Sequence, residues 1–288
     1  MIKYNPIEKR VLENITPTDN DRLELNRIIS KLKEIVEKKL KEYQQQASIE
    51  LVGSTAKDTY LKNNLDIDLF LVFPRNKSEH TISETTLRIG RDLLLDTEEC
   101  YAEHPYIRGK FFEHKIELVP CYQITKASEK ISAVDRTPLH TRYIKKHLHE
   151  TQKNDVRLLK QFLTGIGCYG AEAEIQGFSG YLCELLILQY ETFHKLINQV
   201  SKWVDGIKLS LTNHPIPCFP DPRIFIDPVD KERNVAAAVS TNSFKRFKTA
   251  CHEYIKKPKI TFFFPNPTEP WNIEKIKQEL SNQKESYF

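Results

Sequence analysis

Asp66 and Asp68 flank Ile67 at the head of "DIDLFLVFP", a run that otherwise has the composition of a buried strand. On a strand, residues two apart share a face, so the two carboxylates project together while Ile67 points the other way. Like charges that close repel, and their pKa values rise unless a cation lies between them. A divalent metal supplies that cation. Mg²⁺ prefers hard carboxylate oxygens and completes its shell with waters and substrate phosphates. The plain alternative is a pair of acids at a strand end, facing water. Three features count against it: the flanking "LFLVF" carries the strand into a core, Glu117 supplies a third acid on a second strand-like run, and "GST" follows a strand about a dozen residues upstream. Such a turn offers backbone N–H groups and a hydroxyl to phosphate oxygens. Two metals on three carboxylates can activate a hydroxyl, stabilise a leaving oxygen and orient an in-line displacement at phosphorus. The implied chemistry is nucleotidyl transfer, with Gly53 and Ser54 on the distal phosphates.

These residues need elements to hold them. "TPTDNDRLELNRIISKLKEIVEKKLKEY" has cap residues and three- and four-residue apolar spacing, which predicts a long amphipathic helix from about Asp19. "SIELVG" and "DIDLFLVFP" read as strands joined through a helical turn or short helix, and "SETTLRIGRDLLLD" as a helix. "YAEHPYIRGKFFEHKIELVPCY" reads as two more strands, the second alternating Lys115, Glu117 and Val119 against Ile116 and Leu118. From about Pro138 the pattern becomes helical: "PLHTRYIKKHLH", "NDVRLLKQFLTGIG" and one helix over "GYLCELLILQYETFHKLINQV". Strands return in "IKLSLT" and "RIFIDP", followed by helices in "NSFKRFKTACHEYI" and "PWNIEKIKQELSNQ", with the proline-rich "HPIPCFPDP" as a loop.

The 288 residues suffice for two domains of ordinary size, and 40% hydrophobic with 28% charged residues describe an ordinary globular chain. No apolar stretch is long enough to cross a membrane and "MIKYNPIEKR" lacks a signal-peptide core, so a cytoplasmic protein is expected. Six scattered cysteines fit neither a zinc ribbon nor a redox dithiol, and read as reduced thiols, mostly small core residues. A net charge of +4 permits an anionic partner, and basic clusters stand at 145–146, 245–248 and 256–259.

The Gly-Ser turn, the acid-x-Asp strand and the later carboxylate resemble the DNA polymerase beta-like nucleotidyltransferase superfamily. "ELVPCY", "AVDRTPLHTRYI", "NDVRLLKQFLTGIGCYGAEAEIQGFSGYLCELLI" and "DPVDKERNVAAAVS" further resemble the archaeal-type (class I) tRNA nucleotidyltransferases, the CCA-adding family, over roughly residues 45 to 265. The resemblance implies stepwise addition of C, C and A to a tRNA 3′ end from CTP and ATP, each nucleotide selected by protein and RNA backbone. It implies Mg²⁺ at a two-metal site on Asp66, Asp68 and Glu117, with Glu117 also assisting the attacking hydroxyl. Ser54 and Lys57 would meet the triphosphate. Thr137, His140, Lys160 and Tyr169 resemble the residues that hold ribose and phosphates, and Arg233 the arginine that reads the base. The implied fold is α+β: a head over 1–136 with a small mixed β-sheet flanked by helices, a helical neck over 137–205, and an α+β region over 206–288 that begins a body domain. The chain departs from the family in having Glu117 for an aspartate and Lys57 for an arginine, a point charge in place of a fork. It also stops where a tail domain should follow. A homodimer is left open.

Competing signals are weaker. "GIGCYG" matches the dinucleotide fingerprint literally but follows a helix where the fingerprint must follow a strand, so it reads as a helix terminus that presents Tyr169. His140, His147 and His149 lack zinc spacing. Arg157 and Lys160 share a helix face and form either a solvated stripe or an anion clamp. "ITFFFP" reads as a core strand rather than an RNA-stacking platform. Two rival functions remain: a transferase with a poly(A)- or oligoadenylate-type acceptor, and an inactive RNA-binding protein, which would have no need of three mutually repelling acids.

Overall fold

Several helices begin at a polar side chain that accepts one of their first free N–H groups. The computed structural model describes residues 4–62, 65–101, 103–212 and 217–266. Helix α1 (Pro6–Ile15), which the sequence reading passed over, starts on a capping box in which Asn5 and Glu8 exchange hydrogen bonds of 2.9 and 3.0 Å. Helix α2 (Asp19–Glu42) is capped by Thr18 in the same way and buries Leu25, Ile29, Leu32, Val36 and Leu40, the expected stripe. Then come β1 (Ser48–Leu51), the short α3 (Gly53–Lys57), β2 (Asp66–Phe73), α4 (Glu79–Leu93), β3 (Leu95–Tyr101), β4 (Pro105–Phe111) and β5 (His114–Tyr122).

The five strands form one mixed sheet in the order β1-β2-β5-β4-β3, parallel only between β2 and β5. One face buries Ile67, Leu69, Leu71, Phe73, Ile116 and Leu118 together with side chains of α2 and α4. The other face changes character along its length. Phe70, Val72, Val119 and Cys121 are buried at its C-terminal end, whereas Asp66, Asp68, Lys115 and Glu117 stand at its N-terminal end with partial or full exposure. The period-2 strand thus carries a core at one end and a site at the other.

A short 3₁₀ turn (Ala133–Arg136) leads into α5 (Thr137–His147), α6 (Glu150–Gly165), α7 (Gly180–Tyr190), α8 (Phe193–Val200), the parallel pair β6 (Lys208–Ser210) and β7 (Ile224–Ile226), and α9 (Thr241–Lys256). Their core centres on Phe162, Leu185, Phe193, Phe247, Tyr254 and Phe263, and α1 buries Val11, Leu12 and Ile15 in it.

Three expectations need correction. The run "GYLCELLILQYETFHKLINQV" makes two helices, because Glu191 adopts φ +69° and Thr192 restarts the chain as the cap of α8. Asp155 Oδ1 fixes the new start by accepting the Phe193 N–H at 2.8 Å. The end of "SETTLRIGRDLLLD" leaves the helix after Leu93 and enters β3, an exposed edge strand with no apolar alternation to announce it. "ITFFFP" is a 3₁₀ turn over Ile260–Phe262 in place of a strand, although Phe263 is fully buried as a core residue should be. The turn rests on the end of α6: Gln161 Nε2 donates to the Phe263 carbonyl at 2.7 Å, and a Cβ at Gly165 would lie 2.1 Å from the Phe262 carbonyl oxygen. Backbone contact and not dinucleotide chemistry therefore accounts for the first glycine of "GIGCYG". The helix expected in "PWNIEKIKQELSNQ" and part of "HPIPCFPDP" lie outside the described residues.

Candidate active site

Parallel pairing of β2 with β5 puts Asp68 directly opposite Glu117, and Asp66 opposite Lys115. All four side chains therefore share one sheet face. Next to Glu117 on its far side stands Arg108 of β4, itself paired with Glu98 of β3 through hydrogen bonds of 3.0 and 2.7 Å. Asp66, Glu117, Lys115 and Arg108 line an open groove at this end of the sheet.

Gly53 backs this arrangement. Its φ is +69°, and a Cβ built on it would stand 1.8 Å from Asp68 Oδ2, so the turn into α3 fits against the carboxylate only as glycine. Burial first, then the charges of Glu117 and Asp66, push the Asp68 pKa up to about 7, with Lys57 and Lys160 pulling the other way. Burial and Asp66 also raise Glu117, against Arg108. The three carboxylates share a face without closing into a ligand cluster: among the described residues no group of three or more His, Cys, Asp or Glu side chains is arranged to hold an ion. The donor set nevertheless fits a hard divalent cation, because it is all carboxylate oxygen and one member is held in a setting that penalises its own charge.

The remaining expected residues gather in two groups beside these acids. Lys57 ends α3 and Lys160 lies on α6, and both ammonium groups face Glu184 of α7, at 2.5 and 3.9 Å. Gly180 sits between Lys160 and Tyr169, where a Cβ would lie 3.0 Å from the Tyr169 hydroxyl and 3.7 Å from Lys160 Nζ. Ser54 occupies the first turn of α3, its carbonyl accepting the Thr59 N–H at 3.0 Å. Arg157, on the same helix as Lys160, turns away from this group to grip the Asp58 side chain and the Asp58 and Tyr60 carbonyls. It is a structural tie, and neither a solvated stripe nor an anion clamp describes it.

The second group centres on Asp227, just past β7. Its carboxylate accepts from His140 Nε2 at 2.8 Å, Arg233 Nη1 at 2.9 Å, the Tyr181 hydroxyl at 3.0 Å and the Val229 N–H at 3.0 Å. Burial opposes the charge on Asp227, but these donors, led by His140, hold its pKa at about 2. Burial lowers the His140 pKa, and its hydrogen bond and charge contact with Asp227 pull the other way. Thr137 opens α5 one turn before His140, with its carbonyl bonded by Thr141. Tyr181 joins the groups: its ring stacks on His140 at 4.2 Å between centroids, and Lys57 Nζ lies 5.9 Å from the ring centre. Lys57 and Lys160 thus meet at Glu184, His140 and Arg233 meet at Asp227, and Tyr181 lies between the two groups. Glu184, Tyr181 and Asp227, which tie these groups, were not singled out in the sequence. The available signal for each acid was a lone charge within or just after an apolar run.

Family models match the chain twice, as "Nucleotidyltransferase domain" over residues 29–140 and as "tRNA nucleotidyltransferase, second domain" over 154–264. A CCA-adding enzyme of Saccharolobus islandicus is 42% identical over 262 residues, which are 90% of this chain and 61% of that protein. A CCA-adding enzyme of Haloarcula marismortui is 34% identical over 281 residues, 98% of this chain and 60% of that protein. The chain therefore spans about three-fifths of the length of these curated relatives. Among solved structures, the Cid1 poly(U) polymerase aligns with a TM-score of 0.64 at 14% identity over 93% of this chain and 96% of its own. CdnC of E. coli MS115-1 with ATP aligns at 0.64 and 14% identity, over 89% and 94%. At that identity the two structures speak for the fold alone.

Proposed function

We propose that the chain is a tRNA nucleotidyltransferase that adds C, C and A to the 3′ end of tRNA, using CTP and ATP and releasing pyrophosphate, a reading supported by the two family-model matches and the 42% identity to a CCA-adding enzyme. The observation that carries the chemistry is the register of Asp68 against Glu117 with Gly53 packed behind Asp68. Asp66, Asp68 and Glu117 would hold Mg²⁺, which when bound supplies Lewis-acid stabilisation at the reacting oxygens. Gly53 and Ser54 approach the distal phosphates through the turn into α3, and Lys57 and Lys160 give them positive charge. Glu117 faces the groove, where it can take a hydrogen bond from the attacking 3′-hydroxyl. The hydroxyl oxygen bonds to the α-phosphorus, the bond from that phosphorus to the β-phosphate bridging oxygen breaks, and the hydroxyl proton leaves to the surrounding base or water. His140, Tyr169 and Thr137 would hold the ribose and phosphates, and Arg233, bonded to Asp227, would read the base. For this task we divide the chain into a head (1–136), a neck (137–205) and the start of a body (206–288). A cytoplasmic location belongs to the same proposal, and no helix among the described residues is long and apolar enough to cross a membrane.

A tRNA ending just before CCA, incubated with each nucleotide singly and then in mixture, tests the reading. Incorporation in the order C, C, A is expected. A run of A or U on the same acceptor would overturn it in favour of a transferase of the other acceptor type. Calorimetry with ATP and Mg²⁺ addresses the inactive alternative, since an RNA-binding scaffold has no reason to bind nucleotide in a metal-dependent way.

Gly53→Ala should be severe for so small a change. The added Cβ overlaps Asp68 Oδ2 and the positive φ is strained for alanine. A shift of about 1 Å in a reacting group costs on the order of 10²-fold, so transfer should fall by about that factor while far-UV circular dichroism stays unchanged.

A further inference from the structure

Glu184 is fully buried on α7, in the middle of the apolar run "LCELLILQY". Burying a carboxylate is costly unless it is paired and hydrogen-bonded, and Glu184 is both. Oε2 meets Lys57 Nζ at 2.5 Å, while Oε1 accepts from the Thr59 hydroxyl at 2.6 Å and lies 3.9 Å from Lys160 Nζ. Lys160 Nζ also donates to the Thr59 carbonyl at 2.9 Å and reaches its hydroxyl at 3.3 Å. The side chains of Lys57, Lys160 and Glu184 are 7%, 2% and 0% exposed. Among the described residues, the ion pairs of both lysines run to Glu184 alone.

Two ammonium groups on one carboxylate leave a positive charge beyond the pair in a poorly solvated place. That charge also acts on Asp68, so it faces the acid end of the site, where it can serve an incoming anion once a cation occupies the carboxylates. Three elements meet at this point, since Lys57 belongs to α3, Lys160 to α6 and Glu184 to α7. One turn before Glu184, Tyr181 carries the contact on to His140 and Asp227. Without the acid, two neighbouring cations would repel at close range, and burial already lowers Lys160 to about 8 with Glu184 the main charge opposing that shift.

We propose that Glu184 is a positioning residue for nucleotide binding, whose buried charge holds Lys57 and Lys160 together as a fixed cationic pair with one positive charge in excess for a triphosphate. The inference rests on the nucleotide reading of this site and assigns a residue to it. Glu184 touches no substrate and acts through the lysines. A rival role, in which Glu184 only fills the space between α7 and α3, depends on shape and not on charge.

Two substitutions separate charge from shape. Glu184→Gln keeps the shape and removes the charge, whereas Glu184→Asp keeps the charge and loses one methylene. KM and kcat for CTP and ATP should be measured for both in the whole chain, with binding of ATP and Mg²⁺ by calorimetry and thermal melts to verify folding. Gln is expected to raise KM by roughly tenfold or more with kcat nearly unchanged, as loss of a ground-state binding interaction does. Asp should stay within about threefold of wild type. In a Lys57→Met background the Gln effect should shrink, because the two residues act as one unit. The inference is overturned if Gln binds nucleotide as wild type does, if Gln is tolerated better than Asp, if kcat falls with KM unchanged, or if the two effects simply add. Should Gln fail to fold, Asp still decides: a tenfold weaker affinity with the charge retained refutes a charge role. A wild-type chain that binds no nucleotide would instead overturn the reading of the site itself.

Discussion

Replacing Asp68 with asparagine should abolish transfer and, in the same protein, make the metal-free chain harder to unfold. The loss follows from the site: Asp68 is the acid opposite Glu117, and removing a ligand of the proposed metal site forfeits several kcal/mol of charge stabilisation at the reacting oxygens. At about 1.4 kcal/mol per tenfold, ~4 kcal/mol corresponds to a loss on the order of 10³-fold. The gain follows from electrostatics. An aspartate whose folded-state pKa is raised from 3.8 to about 7 destabilises the folded chain progressively as pH climbs through that interval, and fully above it. The penalty is roughly 2–4 kcal/mol, and a neutral side chain of the same shape escapes it. In melts without metal the variant should therefore match wild type near pH 4 and exceed it by several degrees at about pH 8. Mg²⁺ should close the gap by stabilising wild type alone. Retention of more than about a tenth of the activity would refute the ligand role, and a variant that melts below wild type at about pH 8 would refute the electrostatic account.

The acids were legible because their signal is local. Two aspartates at i and i+2 in an apolar strand, and Glu117 in another, are a period-2 pattern that any pleated strand converts into a shared face. That the two strands are parallel neighbours, in the register that faces Asp68 with Glu117, is a fact of topology, for no residue in either strand encodes it. The helical second half was read well wherever apolar spacing was regular. It failed at Glu191, where neither glycine nor proline marks the break between α7 and α8 and a long-range bond from Asp155 decides it. Strand β3 was missed because it is exposed along its length and held by pairing with β4 and by ion pairs such as Glu98 with Arg108. Lys57 and Lys160 could be assigned to an anion from the sequence. Their shared buried counter-ion, 127 residues along the chain from Lys57, could not. Polar networks that join distant elements leave only a lone charge in each run, and such a charge looks like an imperfection until the fold brings its partners to it.

Asp227→Asn should have the largest effect on stability, and with the opposite pH signature to Asp68. The Asp227 side chain is fully buried. Oδ2 serves both His140 and Arg233, and Oδ1 serves the Tyr181 hydroxyl and the Val229 N–H. An asparagine keeps one oxygen, so one of these pairs must face an NH₂ group, donor against donor, and Arg233 loses its counter-ion. Breaking a buried pair from one side costs ~3–5 kcal/mol. Arg233 is 32% exposed and solvent screens its share, which favours the lower end, about 3 kcal/mol. For a chain of this size the melting temperature should fall by roughly 6–12 °C. Because the folded-state pKa of Asp227 lies at about 2, below the ordinary 3.8, its contribution is complete above the ordinary value and is lost only as pH drops toward about 2. The deficit of the variant should thus be constant from about pH 5 to pH 8 and shrink in acid, where that of Asp68→Asn vanishes in acid as a gain. Nucleotide affinity should fall about tenfold with it, since His140 and Arg233 lose the same anchor. A variant that binds nucleotide more weakly while melting with wild type would move Asp227 from scaffold to direct ligand contact.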